Sequence, residues 1–301
     1  MSDAPASLSV VVPAVNGAEP LRECLRAIES QAESGGIAIE TVVISRLPSG
    51  SLEALAREFP RIRIVPGEGL TIPQMRAKGF SETRAPIVAV LSDQARVVPT
   101  WAKALLAGHA TSAVAVGGSV TNGCSGAAAW AAFFAEYSEH MTPLPEGDVP
   151  SLPGVNVSYK RPTVEACGGL SGGAWESLLH EALRDMGFAF RCEPGAEAVL
   201  VKSFSFGRFA SQKWHIARSR AGLRSSRMSG PRRILFAART ALLPPLLTVR
   251  IVRRVLARPG QGYGGALLRS LPFLLILVSL WTVGEFVGYL SGEGGSTVKV
   301  L

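Results

Sequence analysis

Three short polar stretches each follow an apolar, β-branched run, and they hold the side chains best suited to chemistry. Pro13–Asn16 follows Leu8–Val12, Ser45-Arg46 follows Glu40–Ile44, and Ser92-Asp93-Gln94 follows Ile87–Leu91. Asp93 brings a carboxylate that can meet a cation or accept hydrogen bonds. Asn16 brings an amide that donates and accepts, and Ser45 a hydroxyl. Glu176 heads an amphipathic stretch at Trp175–Met186. A carboxylate there can act as a general base, or it can simply sit against the positive end of a helix dipole. The four cysteines (Cys24, Cys124, Cys167, Cys192) lie far apart with no C-x-x-C pair, and His109, His140, His180 and His215 add no ligand spacing. That distribution argues against a zinc centre or a disulfide framework and fits a reducing compartment.

The elements that must position these residues can be read from periodicity. Leu8–Val12, Glu40–Ile44, Ile62–Val65 and Ile87–Leu91 read as buried strands. Between them, Leu21, Leu25 and Ile28 mark one helix face, and Leu52–Phe59, Thr71–Thr83 and Trp101–His109 read as further helices. An Asn16-Gly17 turn and Pro20 precede the first helix. Strands and helices alternating in this way predict an α/β fold with a doubly wound, mostly parallel sheet. Ligands of such sheets bind at the carboxyl ends of the strands, where all three polar stretches fall. Residues 117–173 are rich in Gly, Ala and Pro and read more loosely. The 175–186 helix and short strands at Phe188–Phe190 and Ala198–Val201 follow.

The charge is partitioned along the 301 residues. Residues 1–201 hold 15 Lys/Arg and 21 Asp/Glu, whereas residues 202–284 hold 15 Lys/Arg and no acid. The net +8 is therefore a mildly acidic front segment joined to a basic, apolar tail, not a uniform polyanion-binding surface. The hydrophobic share of 47% excludes disorder. The N-terminus lacks the basic n-region and long apolar run of a signal peptide, which predicts a front domain that stays in the cytosol. In the tail, the apolar stretch Thr240–Val249 would rise only about 15 Å as a helix, half of a roughly 30 Å hydrocarbon core, so it reads as interfacial or re-entrant. Leu271–Leu290 is long enough to span, although Glu285 lies inside it. Arginines flanking both segments favour a cytoplasmic, anionic lipid surface. They alternate with Leu, Ile and Ala, not with stacking aromatics, so no nucleic-acid partner is expected.

Five stretches, in order, resemble the family 2 glycosyltransferases. LSVVVPAVNGAEPLRECLRAI resembles their opening strand, Pro-x-x-Asn loop and helix, and IETVVI their second strand. PQMRAKGF is similar to the segment carrying an Arg near the nucleotide phosphates, and IVAVLSDQARVVPTW to the acidic-motif strand. AWESLLHEALRDMGF is similar to the helix whose early acid is the catalytic base. The resemblance covers roughly residues 7–225, and the closing VGEFVGYLSG is similar to a C-terminal membrane segment of bacterial members. It implies a GT-A fold over residues 1–210 and a membrane-association region over 211–301, with a transmembrane helix near 271–290.

By that resemblance Pro13, Asn16, Ser45, Arg76, Asp93, Lys202 and Arg218 are expected at the nucleotide-sugar donor. Asn156, within PGVNVSY, and Trp175 are expected at the acceptor, with Glu176 as base and Asp93 as second catalytic group. Two departures stand out. The family's Asp-x-Asp metal site is thinned to Ser92-Asp93-Gln94, and Lys202 lies near where a further ligand would fall. Either Asp93 holds Mg²⁺ or Mn²⁺ together with the diphosphate and water, or Lys202 and Arg76 replace the metal. The acids that usually read the nucleotide base are also absent, since the chain has Ser45-Arg46-Leu47-Pro48 there. The expected function is transfer of a sugar, with inversion, to a lipid-linked or envelope-glycan acceptor at the inner (plasma) membrane, with the catalytic domain facing the cytoplasm. The alternative is a degenerate, non-catalytic scaffold on the same membrane.

Overall fold

Val, Ile and Leu dominate the runs that become the central strands because both faces of those strands are covered, so alternation with polar residues is not needed. The computed structural model describes residues 6–168, 176–202, 205–226, 228–258 and 260–299. The chain divides into two units, Met1–Gly123 with His140–Ser203, and Cys124–Glu139 with Phe204–Leu301.

In the first unit, β1 (Leu8–Ala14), α1 (Ala18–Gly35), β2 (Ile39–Ser45), α2 (Ser49–Glu58), β3 (Arg63–Pro66), α3 (Ile72–Glu82) and β4 (Ile87–Leu91) alternate as expected. Then come β5 (Ala95–Val97), α4 (Trp101–His109), β6 (Ala115–Gly117) and β7 (Val120–Asn122). Helix α5 (Ala127–Tyr137) belongs to the second unit. The chain returns to the first unit with β8 (Gly147–Val149), β9 (Asn156–Lys160), α6 (Arg161–Ala166), α7 (Glu176–Asp185), β10 (Phe190–Cys192) and β11 (Ala198–Leu200).

The main sheet has the order β3-β2-β1-β4-β9-β6-β10-β8, and a small sheet the order β5-β11-β7. Strands β3, β2, β1 and β4 are mutually parallel, and β9 runs antiparallel between β4 and β6. The segment from Asn156, within the loosely read residues 117–173, is thus a buried central strand. Strand β1 also runs two residues beyond Val12, through Pro13. The β1–β4 ladder stops at Val11↔Val90, so the N–H that proline lacks falls past the end of that ladder and nothing is lost. Helix α3 begins with a capping box between Thr71 and Gln74 and lies directly on β1. A Cβ at Gly79 would stand 2.2 Å from Val11 Cγ1, which explains glycine in mid-helix.

The second unit is helical. It comprises α5, α8 (Phe206–Ser225), α9 (Gly230–Arg239), a 3₁₀ turn at Thr240–Leu242, α10 (Leu243–Leu256) and α11 (Tyr263–Ser291). Pro244-Pro245 sits in the first turn of α10, where backbone N–H groups have no intrahelical partner. Helices α8 and α11 lie side by side and parallel. The Phe206 and Phe273 rings are 5.1 Å apart, and Lys213 Nζ is 5.6 Å from the Trp281 ring. Cβ atoms at Gly284 and Gly288 would each approach a carbonyl of α8, Trp214 O and Arg218 O, to 2.5 Å. The backbones therefore touch. Arg258 closes the bundle by donating to the Ser138 and Glu139 carbonyls past the end of α5.

Candidate active site

Strand order reverses between β1 and β4: the chain proceeds from β1 outward to β2 and β3, then crosses back to β4 on the other side. At that switch point the two carboxyl-end loops are locked together by Asp93. Its Oδ2 accepts from the backbone N–H groups of Val15 and Asn16, and its Oδ1 from Asn16 Nδ2, each at 2.8 Å. Asp93 is 1% exposed. Burial raises its pKa above the usual carboxylate value, and the Asn16 and Val15 bonds oppose that rise. The neighbouring Cys24 thiol is pushed far up by burial, with the Asp93 charge adding to it, and stays protonated.

Ser45 closes β2 beside this loop. Its Oγ accepts from Leu47 N–H at 3.0 Å, its carbonyl accepts from Gly67 N–H at 2.7 Å, and Arg46 N–H reaches back to Ala14 O at 3.1 Å. Lys202 arrives from the small sheet. Val201 N–H donates to Gln94 O at 2.9 Å, placing Lys202 one residue from a bond to the Asp93 loop. Asn16, Ser45, Asp93 and Lys202 are therefore brought to one rim from four separate segments, with Pro13 buried directly beneath as part of β1.

Arg76 lies on α3, and its charge acts on the Tyr159 hydroxyl. That hydroxyl is 2.8 Å from His180 Nε2 on α7. Burial holds His180 down at about 4, with Arg184 and His140 adding to the effect, so its imidazole is neutral at pH 7. Tyr159 itself is pushed above its usual range by burial. The Tyr159–His180 pair fixes α7, whose first residue is Glu176, against the sheet. The backbone of Glu176 is part of α7, but its side chain and all of Trp175 lie outside the described residues.

Two expected contacts have other employment. Asn156 is fully buried: its Oδ1 accepts from Trp101 Nε1 at 2.8 Å, and its Nδ2 donates to Ala196 O at 2.7 Å and Ser119 O at 3.3 Å. Instead of presenting an amide to an acceptor, it joins β9 to α4 and to the segments before β7 and β11. Arg218 belongs to α8 in the second unit, where its Nε donates to Gly292 O at 3.3 Å and its guanidinium lies over the Trp214 ring. Sequence reasoning missed Glu197, which accepts from Thr121 and Thr142 hydroxyls at 2.7 and 2.6 Å. Nothing in the spacing of residues 119, 121, 142 and 197 announces that cluster.

A divalent ion of the Mg²⁺ or Mn²⁺ type needs several oxygen ligands. Asp93 has already given up three of its four lone-pair sites to the loop after β1. Among the described residues, no group of three or more His, Cys, Asp or Glu side chains converges. The donor set does not fit an ion held by the protein.

A mixed sheet with its switch point between β1 and β4, flanked by helices and joined by a second small sheet, is an α/β fold of the GT-A type. The particular family follows from sequence: the pattern described as Glycosyl transferase family 2 matches residues 9–164, and the chain belongs to that family. Among solved structures, the chain is similar to the mannosyltransferase PcManGT from Pyrobaculum calidifontis, solved in complex with GDP-Man and Mn²⁺. The identity is 16% over 94% of this chain and 88% of that one, with a TM-score of 0.57, a likeness of fold. No curated protein matches the chain.

Proposed function

We propose that the protein transfers a glycosyl unit from a nucleotide sugar to a lipid-linked or envelope-glycan acceptor, with inversion, at the cytoplasmic face of the plasma membrane. The observation that carries this reading is the Asp93 clamp, which holds the β1 loop rigid where a donor nucleotide would lie. The GDP-Man of the structural neighbour supports a nucleotide-sugar donor. In the proposed step an acceptor hydroxyl oxygen bonds to the anomeric carbon as the bond from that carbon to the diphosphate breaks. Glu176 takes the hydroxyl proton, and the electron pair leaves with the nucleoside diphosphate. Lys202 and Arg76 supply fixed positive charge to the departing diphosphate, in place of an ion held by Asp93.

The division of the chain into a glycosyltransferase domain and a membrane-association region supports a lipid-bound acceptor. The exposed apolar surface of α9–α11 is the reason. The scaffold reading draws on the same saturation of Asp93. Calorimetric titration of UDP-, GDP-, dTDP- and CMP-sugars decides between them. Binding of one donor, together with loss of transfer but retained binding in Glu176→Gln, supports the enzyme. No heat with any donor at millimolar concentration supports the scaffold.

A further inference from the structure

The second unit turns apolar side chains outward on α11 and on the α9–α10 segment. On α11 the exposed positions Leu268, Leu275, Ile276, Val283, Phe286 and Leu290 recur at helical spacing and form one stripe. Leu268 is 74% exposed. The α9–α10 segment presents Ile234, Leu235, Leu242, Leu246, Val249 and Leu256 in the same way.

Charge decides what covers this surface. At 100° per residue, the exposed arginines Arg232, Arg239 and Arg250 fall along one edge of the α9–α10 apolar stripe, while Arg253 falls within it near the end of α10. A helix crossing a bilayer would carry such a row through hydrocarbon. A helix lying in the membrane plane keeps the whole row at phosphate depth, with its apolar face in the acyl boundary. Helix α11 is apolar enough to cross, but its other face is occupied. Helix α8 lies against it with backbone contact at Gly284 and Gly288 and bears Arg208, Arg218, Arg220 and Arg224 along its length, besides Lys213 in its ion pair with Glu136. If α11 spanned, α8 would have to follow it, and intramembrane cations on that scale are not tolerated.

We infer that the second unit is a monotopic module. Its α9–α11 surface lies in one leaflet of an anionic phospholipid bilayer, and none of the three helices crosses. The inference rests on the membrane reading proposed above and replaces the transmembrane helix expected near 271–290 with an in-plane one.

The test uses the full chain carrying Cys124→Ser, Cys167→Ser and Gln261→Cys, the last at an exposed site in the 257–262 connection between α10 and α11. The protein is produced in bacterial cells, and spheroplasts are treated with a membrane-impermeant maleimide. In parallel, purified protein is floated with phosphatidylcholine vesicles, with and without phosphatidylglycerol. The expected result has three parts. The protein is in the membrane fraction, position 261 is labelled only after lysis, and flotation requires phosphatidylglycerol and falls several-fold at high salt. Labelling of intact spheroplasts at position 261, or at position 298 in a second protein carrying Val298→Cys in place of Gln261→Cys, would show that the hairpin or α11 alone crosses, overturning the monotopic inference while leaving membrane attachment intact. A protein absent from membranes and vesicles, with its apolar surface buried in a dimer, would overturn both.

Discussion

Asp93 can be changed in two ways that separate a loop clamp from a metal ligand. In Asp93→Ala, the Val15 and Asn16 backbone N–H groups and the Asn16 side-chain amide all lose their acceptor. Hydrogen bonds to a charged group are worth about 1.5–3 kcal/mol each, but the three share one carboxylate and do not add. Relief from burying the ion offsets part of the loss, leaving a destabilisation of about 3–5 kcal/mol. In Asp93→Asn, the new Oδ1 can accept both backbone N–H groups. Its Nδ2 can donate to the Asn16 carbonyl oxygen once the Asn16 amide turns over. All three bonds then survive without charge assistance, at a cost of about 1 kcal/mol. Urea unfolding followed by tryptophan fluorescence reads the stabilities, and calorimetry with the nucleotide sugar, in chelator and in Mn²⁺, reads the site. The clamp predicts that Asp93→Asn binds donor within about threefold of wild type in either buffer. A well-folded Asp93→Asn that has lost donor binding, set against a wild type whose binding needs Mn²⁺, would refute the reasoning.

Other outcomes follow from the same geometry. Gly288→Val should separate α8 from α11, because its Cβ would fall 2.5 Å from Arg218 O and 2.7 Å from the Ala221 Cβ. The second unit should then melt earlier in calorimetry and lose helical circular dichroism. Asn156→Ala leaves Trp101 Nε1 and two carbonyls unsatisfied in the core and should cost about 2–4 kcal/mol in urea unfolding. His109 and His180 are held at about 4, chiefly by burial, against 6.5 when exposed. The native state stays neutral while the unfolded chain takes up protons, so stability is complete above about pH 6.5 and falls toward pH 4, by up to about 3 kcal/mol per histidine. Urea midpoints across that range should show the decline, and His180→Gln should make it shallower.

The front half of the fold was legible because its signals are local. Ile87–Leu91 and Trp101–His109 agree with the sequence reading at both ends, and the alternation of β1 to β4 with α1 to α3 follows from apolar runs and helical spacing. Strand β9 was not legible. Its five residues mix Asn, Ser, Tyr and Lys with a single Val, and they are strand only because β4 and β6 bond them on both sides. Helix α5 escaped because AAAWAAFFAEY is apolar but for Glu136 and shows no helical period, having been made to pack inside the helical unit. The rim residues Asn16, Ser45 and Asp93 were visible as polar stretches after strands. What no spacing could show was that Asp93 spends its carboxylate on the Asn16 loop. For Asn156, an amide in a loop-like sequence looked available, whereas three long-range bonds consume it.

The central claim is glycosyl transfer, and product formation tests it most directly. The purified protein is mixed with each common nucleotide sugar, radiolabelled in the sugar, and with vesicles of bacterial lipid extract, in the presence of chelator. Nucleoside diphosphate and organic-phase label are then measured together. The proposed reaction predicts that one donor releases diphosphate in step with label entering the lipid phase, and that Glu176→Gln abolishes both. Absence of diphosphate with every donor, even after Mn²⁺ is restored, would contradict it.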